Sequence, residues 1–293
     1  MKPTIACVIP AYNRQDTIGE AIESVLKQSR QPDEIIIVDD GSTDDTQEVC
    51  QRYTANIRVI SQENGGASSA RNRGAKEANS EWIAWLDSDD VWTETYLSTV
   101  EEAIVETSGK AQLYFSNIEL DREQFKNNRI WDHLSIDFDG ALYCVFDDPP
   151  KFALKHHFMA MLQTSVMNKE AFDKLGGFDE TLSVHEDLHM FLMFFLSFSV
   201  CAVNQVGGLM GAGQCNRLSN SNLLRKLRDS QRMWESLRQR YPDLSREWVK
   251  KCYNYESKAL KRQSKYHILN GGFISGLNVI MKSLCKKYKA LIA

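Results

Sequence analysis

Four polar clusters stand where short apolar runs end: Pro10-Ala11-Tyr12-Asn13, Asp39-Asp40-Gly41-Ser42, Gln62-Glu63-Asn64-Gly65-Gly66 and Asp87-Ser88-Asp89-Asp90. The last packs Asp87, Asp89 and Asp90 together, and a bound divalent cation would relieve their mutual repulsion. A hard ion such as Mn²⁺ or Mg²⁺ takes one or two protein carboxylates and fills its shell with diphosphate oxygens and water. The competing reading is a turn that caps a helix beginning near Trp92 and Thr93. Arg71 and Arg73 lie on a stretch of helical period approached by Gly65-Gly66-Ala67-Ser68-Ser69. Free backbone N–H groups at such a helix start, with an arginine beside them, suit a diphosphate; two solvated helix charges are the alternative. Downstream, Glu186 and Asp187 precede the apolar set Leu188, Phe191, Leu192 and Phe195. A carboxylate held rigidly there suits a general base, and the same pair also complements the dipole of the helix it opens.

The elements that must position these groups are short. Strands are expected over Thr4 to Pro10, Glu34 to Asp39, Ile57 to Ser61 and Trp82 to Asp87, with helical stretches between them; Ile18, Ala21, Ile22, Val25 and Leu26 recur at helix spacing. Strands alternating with helices imply a mostly parallel sheet covered on both faces. Ligands bind such sheets at the carboxyl ends of the strands, so one crevice would collect all four clusters. No G-x-G-x-x-G follows the first strand and no G-x-x-x-x-G-K-[ST] occurs, which excludes a dehydrogenase-type dinucleotide site and a phosphate loop. A fifth strand is expected over Leu113 to Ile118, then an irregular insertion from Glu119 to Lys155, a length that suits a lid. Order returns at Gln163 to Asn168, followed by a short helix over Lys169 to Leu175 stopped by Gly176-Gly177, and an apolar helix from Glu186. Met190 to Val203 is too short to span a bilayer and reads as a buried helix entering a strand. From Ser221 the period is helical, broken near Pro242 and Gly271-Gly272 into about three helices.

Apolar residues at 43% and charged residues at 25% exclude a disordered or disulfide-dense chain. Seven scattered cysteines read as reduced cytosolic thiols, and no secretory signal is expected ahead of the first strand. The net charge of −4 conceals a split. Residues 1–222 hold 18 Lys and Arg against 34 Asp and Glu, a balance of −16, whereas 223–293 hold 17 against 5, a balance of +12. A basic arm on an acidic body suits an anionic surface. In that arm Ile268, Phe273, Ile274, Leu277, Ile280, Met281 and Leu284 stand beside Lys282, Lys286, Lys287 and Lys289. They suit an anionic membrane or a helix packed on the body with its lysines in water. Nucleic acid is not expected, because neither aromatic platforms nor a known module is present.

These blocks resemble the inverting family-2 glycosyltransferases of the GT-A fold. Val8-Ile9-Pro10-Ala11-Tyr12-Asn13-Arg14 is similar to the family's opening strand, Val38-Asp39-Asp40-Gly41-Ser42-Thr43-Asp44 to its second, and Ala70-Arg71-Asn72-Arg73-Gly74 to its third block. Leu86-Asp87-Ser88-Asp89-Asp90 resembles the metal-binding strand end, and Gly176-Gly177-Phe178-Asp179-Glu180 with Glu186-Asp187 the acceptor-side block. The resemblance implies a GT-A domain over 1–222, its nucleotide-binding half about 1–120 and its acceptor-side half about 121–222, with a basic helical region over 223–293 outside it. It implies nucleotide contacts at Pro10, Ala11, Tyr12, Asn13, Asp39, Gly66, Arg71, Asp87 and Ser88. Within that set Ala11 and Tyr12 line the base pocket, Asp39 accepts a hydrogen bond from a uracil-like ring, and Arg71 lies near base and diphosphate. Mn²⁺ or Mg²⁺ would sit on Asp89 and Asp87, with Asp187 as catalytic base and Glu186 beside it. Two departures stand out: Met193 where the family commonly carries arginine, and His189 where an aspartate is usual. The segment Gly213 to Ser219 also lacks the frequent tyrosine-arginine-histidine arrangement, leaving His185 or Arg217 as substitutes near the diphosphate.

The expected activity is transfer of a sugar from a nucleoside diphosphate sugar, a UDP-sugar first, to a saccharide or lipid-linked acceptor in surface-polysaccharide assembly. The enzyme is expected in the cytoplasm, with peripheral attachment to the inner leaflet through the basic region. Two other classes stay open: a nucleotidyltransferase, which wants a glycine-rich, lysine-bearing first loop, and a non-catalytic sugar-nucleotide-binding subunit.

Overall fold

Apolar runs of strand length and stretches of helical period alternate through the first hundred residues, and the computed structural model shows the sheet they build. It describes residues 2–53, 57–120, 136, 138–155, 160–210, 223–269 and 273–292. The first part comprises β1 (Ile5–Ala11), α1 (Ile18–Leu26), β2 (Glu34–Asp39), α2 (Thr46–Gln51), β3 (Ile57–Ser61), α3 (Ala67–Glu77) and β4 (Trp82–Trp85). Next come β5 (Val91–Trp92), α4 (Tyr96–Glu106), β6 (Leu113–Leu120), β7 (Tyr143–Val145), α5 (Pro149–Lys155), β8 (Ser165–Asn168), α6 (Lys169–Leu175), α7 (Glu186–Ser197) and β9 (Val200–Met210). Three helices follow: α8 (Leu223–Arg240), α9 (Arg246–Leu269) and α10 (Phe273–Ile292). The chain divides into two compact units, 1–178 with 190–214, and 179–189 with 215–293.

In the first unit the strands run in the order β3-β2-β1-β4-β8-β6-β9-β5, with β7 also on β9. β3, β2, β1 and β4 are parallel. β8 enters antiparallel between β4 and β6, β6 and β9 are parallel, and β5 and β7 pair antiparallel with β9. The parallel expectation thus describes the half built from the first four strands, and the other half is mixed. β1 is buried along its length except at Pro10, as a strand covered on both faces requires. α1 buries Ile18, Ala21, Ile22 and Val25 of the set given by its period, and Leu26 is half-buried. α3 is polar but seats closely on the sheet through Gly74, where a Cβ would collide with Val8 and touch Val38. Arg30, buried between elements, is held by Asp33 at 2.8 Å, by Glu101 and by the carbonyl of Pro3.

The expected irregular insertion from Glu119 to Lys155 is corrected where it is described. Glu119 and Leu120 continue β6 against Leu209 and Met210, β7 is a further strand, and Pro149 opens α5. Proline is suited to a first helical turn, and Asp148 Oδ1 accepts from Lys151 N at 3.0 Å. Residues 121–135 and 137 lie outside the described set. α6 begins at Asn168, whose side chain accepts from Ala171 N, and ends at Gly176 with φ 84°, a left-handed stop that glycine adopts without strain.

In the second unit α9 packs against both α8 and α10. Trp234 stacks on Tyr255 at 4.6 Å, and the fully buried Glu256 is paired with Arg238 at 3.3 Å and with Lys286. This unit also takes in 179–189, ahead of the boundary at 222 given by the charge split. Among the described residues no helix is long and apolar enough to cross a membrane. The six described cysteines are free thiols, and Cys215 lies outside the described residues.

Candidate active site

Three of the four polar clusters stand at the carboxyl ends of β2, β1 and β4, which are neighbours in the sheet. Ala11 and Asp39 are register partners, and Asp40 N donates to Ala11 O at 2.8 Å. The loops past β1 and β2 are sewn together: Asn13 N donates to Ser42 Oγ at 3.0 Å and Thr43 N to Asn13 Oδ1 at 2.8 Å. Asn13 has φ 51°, a left-handed conformation that asparagine tolerates better than most residues. Pro10 is half-buried, and Tyr12, 44% exposed, stands just past the strand. Asp39 is buried, and its Oδ1 accepts from Ser42 N at 3.1 Å.

Asp40 has a separate task that sequence reasoning did not assign. Its buried carboxylate accepts from Gly65 N at 2.9 Å, Gly66 N at 2.8 Å and Gln62 Nε2 at 2.7 Å. This corrects the expectation that the N–H groups of Gly65 and Gly66 wait for an anion, because an internal carboxylate already takes them. The available signal was the Asp39-Asp40 pair itself: neighbouring residues at a strand end point to opposite sides, so two adjacent carboxylates there serve different partners.

Arg71 and Arg73 part company. Arg71 is buried, donates to Asp87 Oδ1 at 2.7 Å, and its guanidinium lies 5.6 Å from the centre of the Phe178 ring. Arg73 forms an exposed i,i+4 pair with Glu77 at 3.0 Å, the solvated alternative. Between them Asn72 reaches across the sequence, donating to Phe178 O at 2.9 Å and accepting from Phe178 N at 2.8 Å. The third block and the glycine-rich later block are therefore joined side chain to backbone.

The carboxylates of the fourth cluster are unequal. Asp90 is buried and accepts from Gln163 Nε2 at 2.7 Å. Asp87 and Asp89 are half-buried, and Ser88 is buried between them. The helix-capping alternative is overturned: Val91 and Trp92 are strand residues paired with β9, and α4 starts only at Tyr96. Among the described residues no group of three or more His, Cys, Asp or Glu side chains is set to enclose a metal ion. A two-carboxylate donor set still fits a hard divalent ion that completes its shell from diphosphate and water.

Glu186 and Asp187 occupy the first turn of α7. Glu186 is buried, and Asp187 is half-buried with Oδ1 accepting from Leu188 N at 2.6 Å. His185, just before them, has φ 68°, an uncommon conformation for a non-glycine residue and one found at functional turns. Burial lowers its pKa, against the opposing pull of Asp187 and Asp229. The turn is anchored by Asp229 of α8, buried, whose Oδ2 accepts from Ser183 N at 2.9 Å and Val184 N at 3.3 Å. His189 is buried with neither ring nitrogen bonded among the described residues, and burial pulls its pKa to about 4. Met193 is buried, so the position where the family often has arginine is apolar here. Arg217 and the Gly213 to Ser219 segment lie outside the described residues.

Residues 6–175 match the model of glycosyl transferase family 2, and the protein belongs to that family. An uncharacterized glycosyltransferase of Rickettsia prowazekii is 29% identical over 210 residues, 68% of this chain and 60% of that one. Chondroitin synthase of Escherichia coli is 31% identical over 196 residues, 65% of this chain and 26% of that one. The chain thus spans less than two thirds of the length of these relatives. The crystal structure of S. aureus TarS in complex with UDP-GlcNAc superposes with a TM-score of 0.63 over 95% of this chain and 90% of that one, at 15% identity. That likeness concerns the fold, the mixed α/β architecture expected of the family.

Proposed function

We propose that this protein is an inverting glycosyltransferase that draws on a UDP-sugar and passes the sugar to a saccharide or lipid-linked acceptor in polysaccharide assembly. The observation that carries the reading is the juxtaposition, at adjacent parallel strand ends, of Ala11, Asp39 and the pair between buried Arg71 and half-buried Asp87. The solved complex of TarS with UDP-GlcNAc supports the choice of nucleotide, and the chondroitin synthase relative supports a polysaccharide product.

In this reading Pro10, Ala11, Tyr12 and Asn13 border the base. Asp39 turns Oδ2 to the base edge, since Oδ1 is taken by Ser42. Arg71 is held by Asp87 in a fixed pose beside the nucleotide, with Gly66 and Ser88 at its margins. Asp87 and Asp89 would hold Mn²⁺ or Mg²⁺, which supplies positive charge for the diphosphate leaving group. Asp187 takes the proton of the acceptor hydroxyl as that oxygen bonds to the anomeric carbon; the carbon–oxygen bond to the diphosphate breaks, and its electron pair leaves with the nucleotide. A single displacement of this kind inverts the anomeric centre. Glu186, buried beside it, shapes the turn.

Calorimetry with UDP and Mn²⁺, paired with donor turnover, tests the scheme. Asp89→Ala should lose Mn²⁺-dependent binding while the fold survives, and Asp90→Asn should keep it. Asp187→Asn should lower kcat by about a hundredfold to ten-thousandfold with UDP affinity unchanged. A normal rate in Asp187→Asn would remove the base assignment, and UDP binding without turnover in the wild type would make the chain a binding subunit.

A further inference from the structure

α10 is packed inside out. Among the side chains of α10 whose burial is described, Gly276, Ser283 and Ala290, seven residues apart, are the buried ones. Ser264 Oγ donates to Gly276 O at 2.6 Å, and Ser257 Oγ donates to Ser283 O at 2.9 Å. Small residues thus let α10 lie close on α9, as ridge-free surfaces allow. The large apolar residues Leu277, Met281, Leu284, Tyr288 and Leu291 are between 44 and 71% exposed. Their spacing of four and three places them along one side of the helix. A helix in water normally buries such a stripe.

The sequence around the stripe is rich in cations. From Lys258 to Ile292 the sequence holds eight Lys and Arg and no Asp or Glu. Where α9 meets α10, a groove of about 410 Å³ is lined by Lys258, Lys261, Arg262, Lys265, Ile268 and Ile280, so cationic heads rise around an apolar floor. Lys282 and Lys289 follow on α10 itself. Lys286 is paired with Glu235 of α8 and Glu256 of α9, but two copies meeting through the groove would set Lys258, Lys261, Arg262 and Lys265 against their own counterparts. An anionic surface with an apolar interior is complementary to both features at once.

We infer that α10 and the adjoining face of α9 form a docking surface for anionic phospholipid, with the α10 stripe entering the acyl boundary and the α9 cations meeting the headgroups. This surface is distinct from the nucleotide crevice and does not depend on its assignment. The test uses the full chain, sedimented with vesicles of phosphatidylcholine alone or mixed with phosphatidylglycerol. Binding is expected only to the mixed vesicles, and it should weaken steeply as salt rises, since the Debye length falls from about 10 Å at 0.1 M to 3 Å at 1 M. Met281→Gln with Leu284→Gln, and separately Lys261→Gln with Lys265→Gln, should each weaken binding by about tenfold or more. All four side chains lie on the surface facing solvent or groove, so thermal unfolding should be unchanged. Equal binding of the variants and wild type, or equal binding to both vesicle types, would overturn the inference. So would concentration-dependent dimerisation without lipid that the Met281/Leu284 pair abolishes, which would assign the stripe to a second copy.

Discussion

Replacing Asp40 tests the idea that an internal carboxylate, not a ligand, holds the Gly65-Gly66 turn. Three donors converge on this buried group, two of them backbone N–H groups at 2.8 and 2.9 Å. Hydrogen bonds to a charged group contribute about 1.5–3 kcal/mol each, and an orphaned buried donor costs about 1–3 kcal/mol. These terms overlap, because the loop relaxes and admits water, so Asp40→Ala should lose about 3–5 kcal/mol. Asp40→Asn keeps one accepting oxygen but turns an amino group toward a backbone donor, and should lose about 2–3 kcal/mol. Urea unfolding should show the midpoint falling in the order wild type, Asn, Ala, with the slope preserved. Hydrogen exchange supplies the local reading: the peptide containing Gly65 and Gly66 should lose protection in both variants, beyond the global change. Should Asp40→Ala unfold within about 0.5 kcal/mol of wild type, with that peptide still protected, the carboxylate clamp would be refuted.

Other positions give shorter tests. Gly74→Ala should cost about 1–3 kcal/mol, because the new methyl meets Val8 on β1; an unchanged melting temperature would contradict the close seating of α3. His189 takes a proton near pH 6.5 when unfolded but only near 4 when folded, so stability should decline as pH falls through that window, by about 3 kcal/mol in all. His189→Leu should flatten that decline, measured as urea midpoints from pH 7 to 4. Asp229→Ala should slow transfer by about tenfold or more with UDP affinity intact, since it frees the Ser183-Val184 turn ahead of Asp187. Asp229→Asn, which retains an acceptor, should recover part of the rate, and equal rates in all three proteins would detach this anchor from catalysis.

Most of the first unit was legible because its signals are local. The β2 and β3 bounds are those read from the apolar runs, and α6 starts and stops where Lys169 and the glycine pair indicated. Asp39 at the end of β2, Asp87 just past β4 and Arg71 on α3 lie where the apolar runs and the helical period put them. What escaped was set by long-range contact. Nothing near Asn72 announces Phe178 as its partner, and nothing near Asp90 announces Gln163. The expectation for the Gly65-Gly66 amides failed for the same reason, since the group that consumes them sits on a different strand end. In the helical region the sequence showed an apolar set and a basic set. Only the fold separates the small residues that pack from the large ones left outside.

The position of β9 bears on how the chain is made. β1 to β4 and the helices between them are complete early in synthesis, and each parallel pair needs only a nearby crossover. β5 is different: Val91 and Trp92 must wait for Gly208 and Leu209. β6 likewise keeps one open edge until β9 arrives. A nascent chain paused between β8 and β9 would therefore carry the finished parallel half of the sheet beside an unpaired strand edge, a template for association with other chains. Premature termination in that interval should yield material that aggregates or recruits chaperones, whereas termination after β9 leaves every strand of the sheet with its partner.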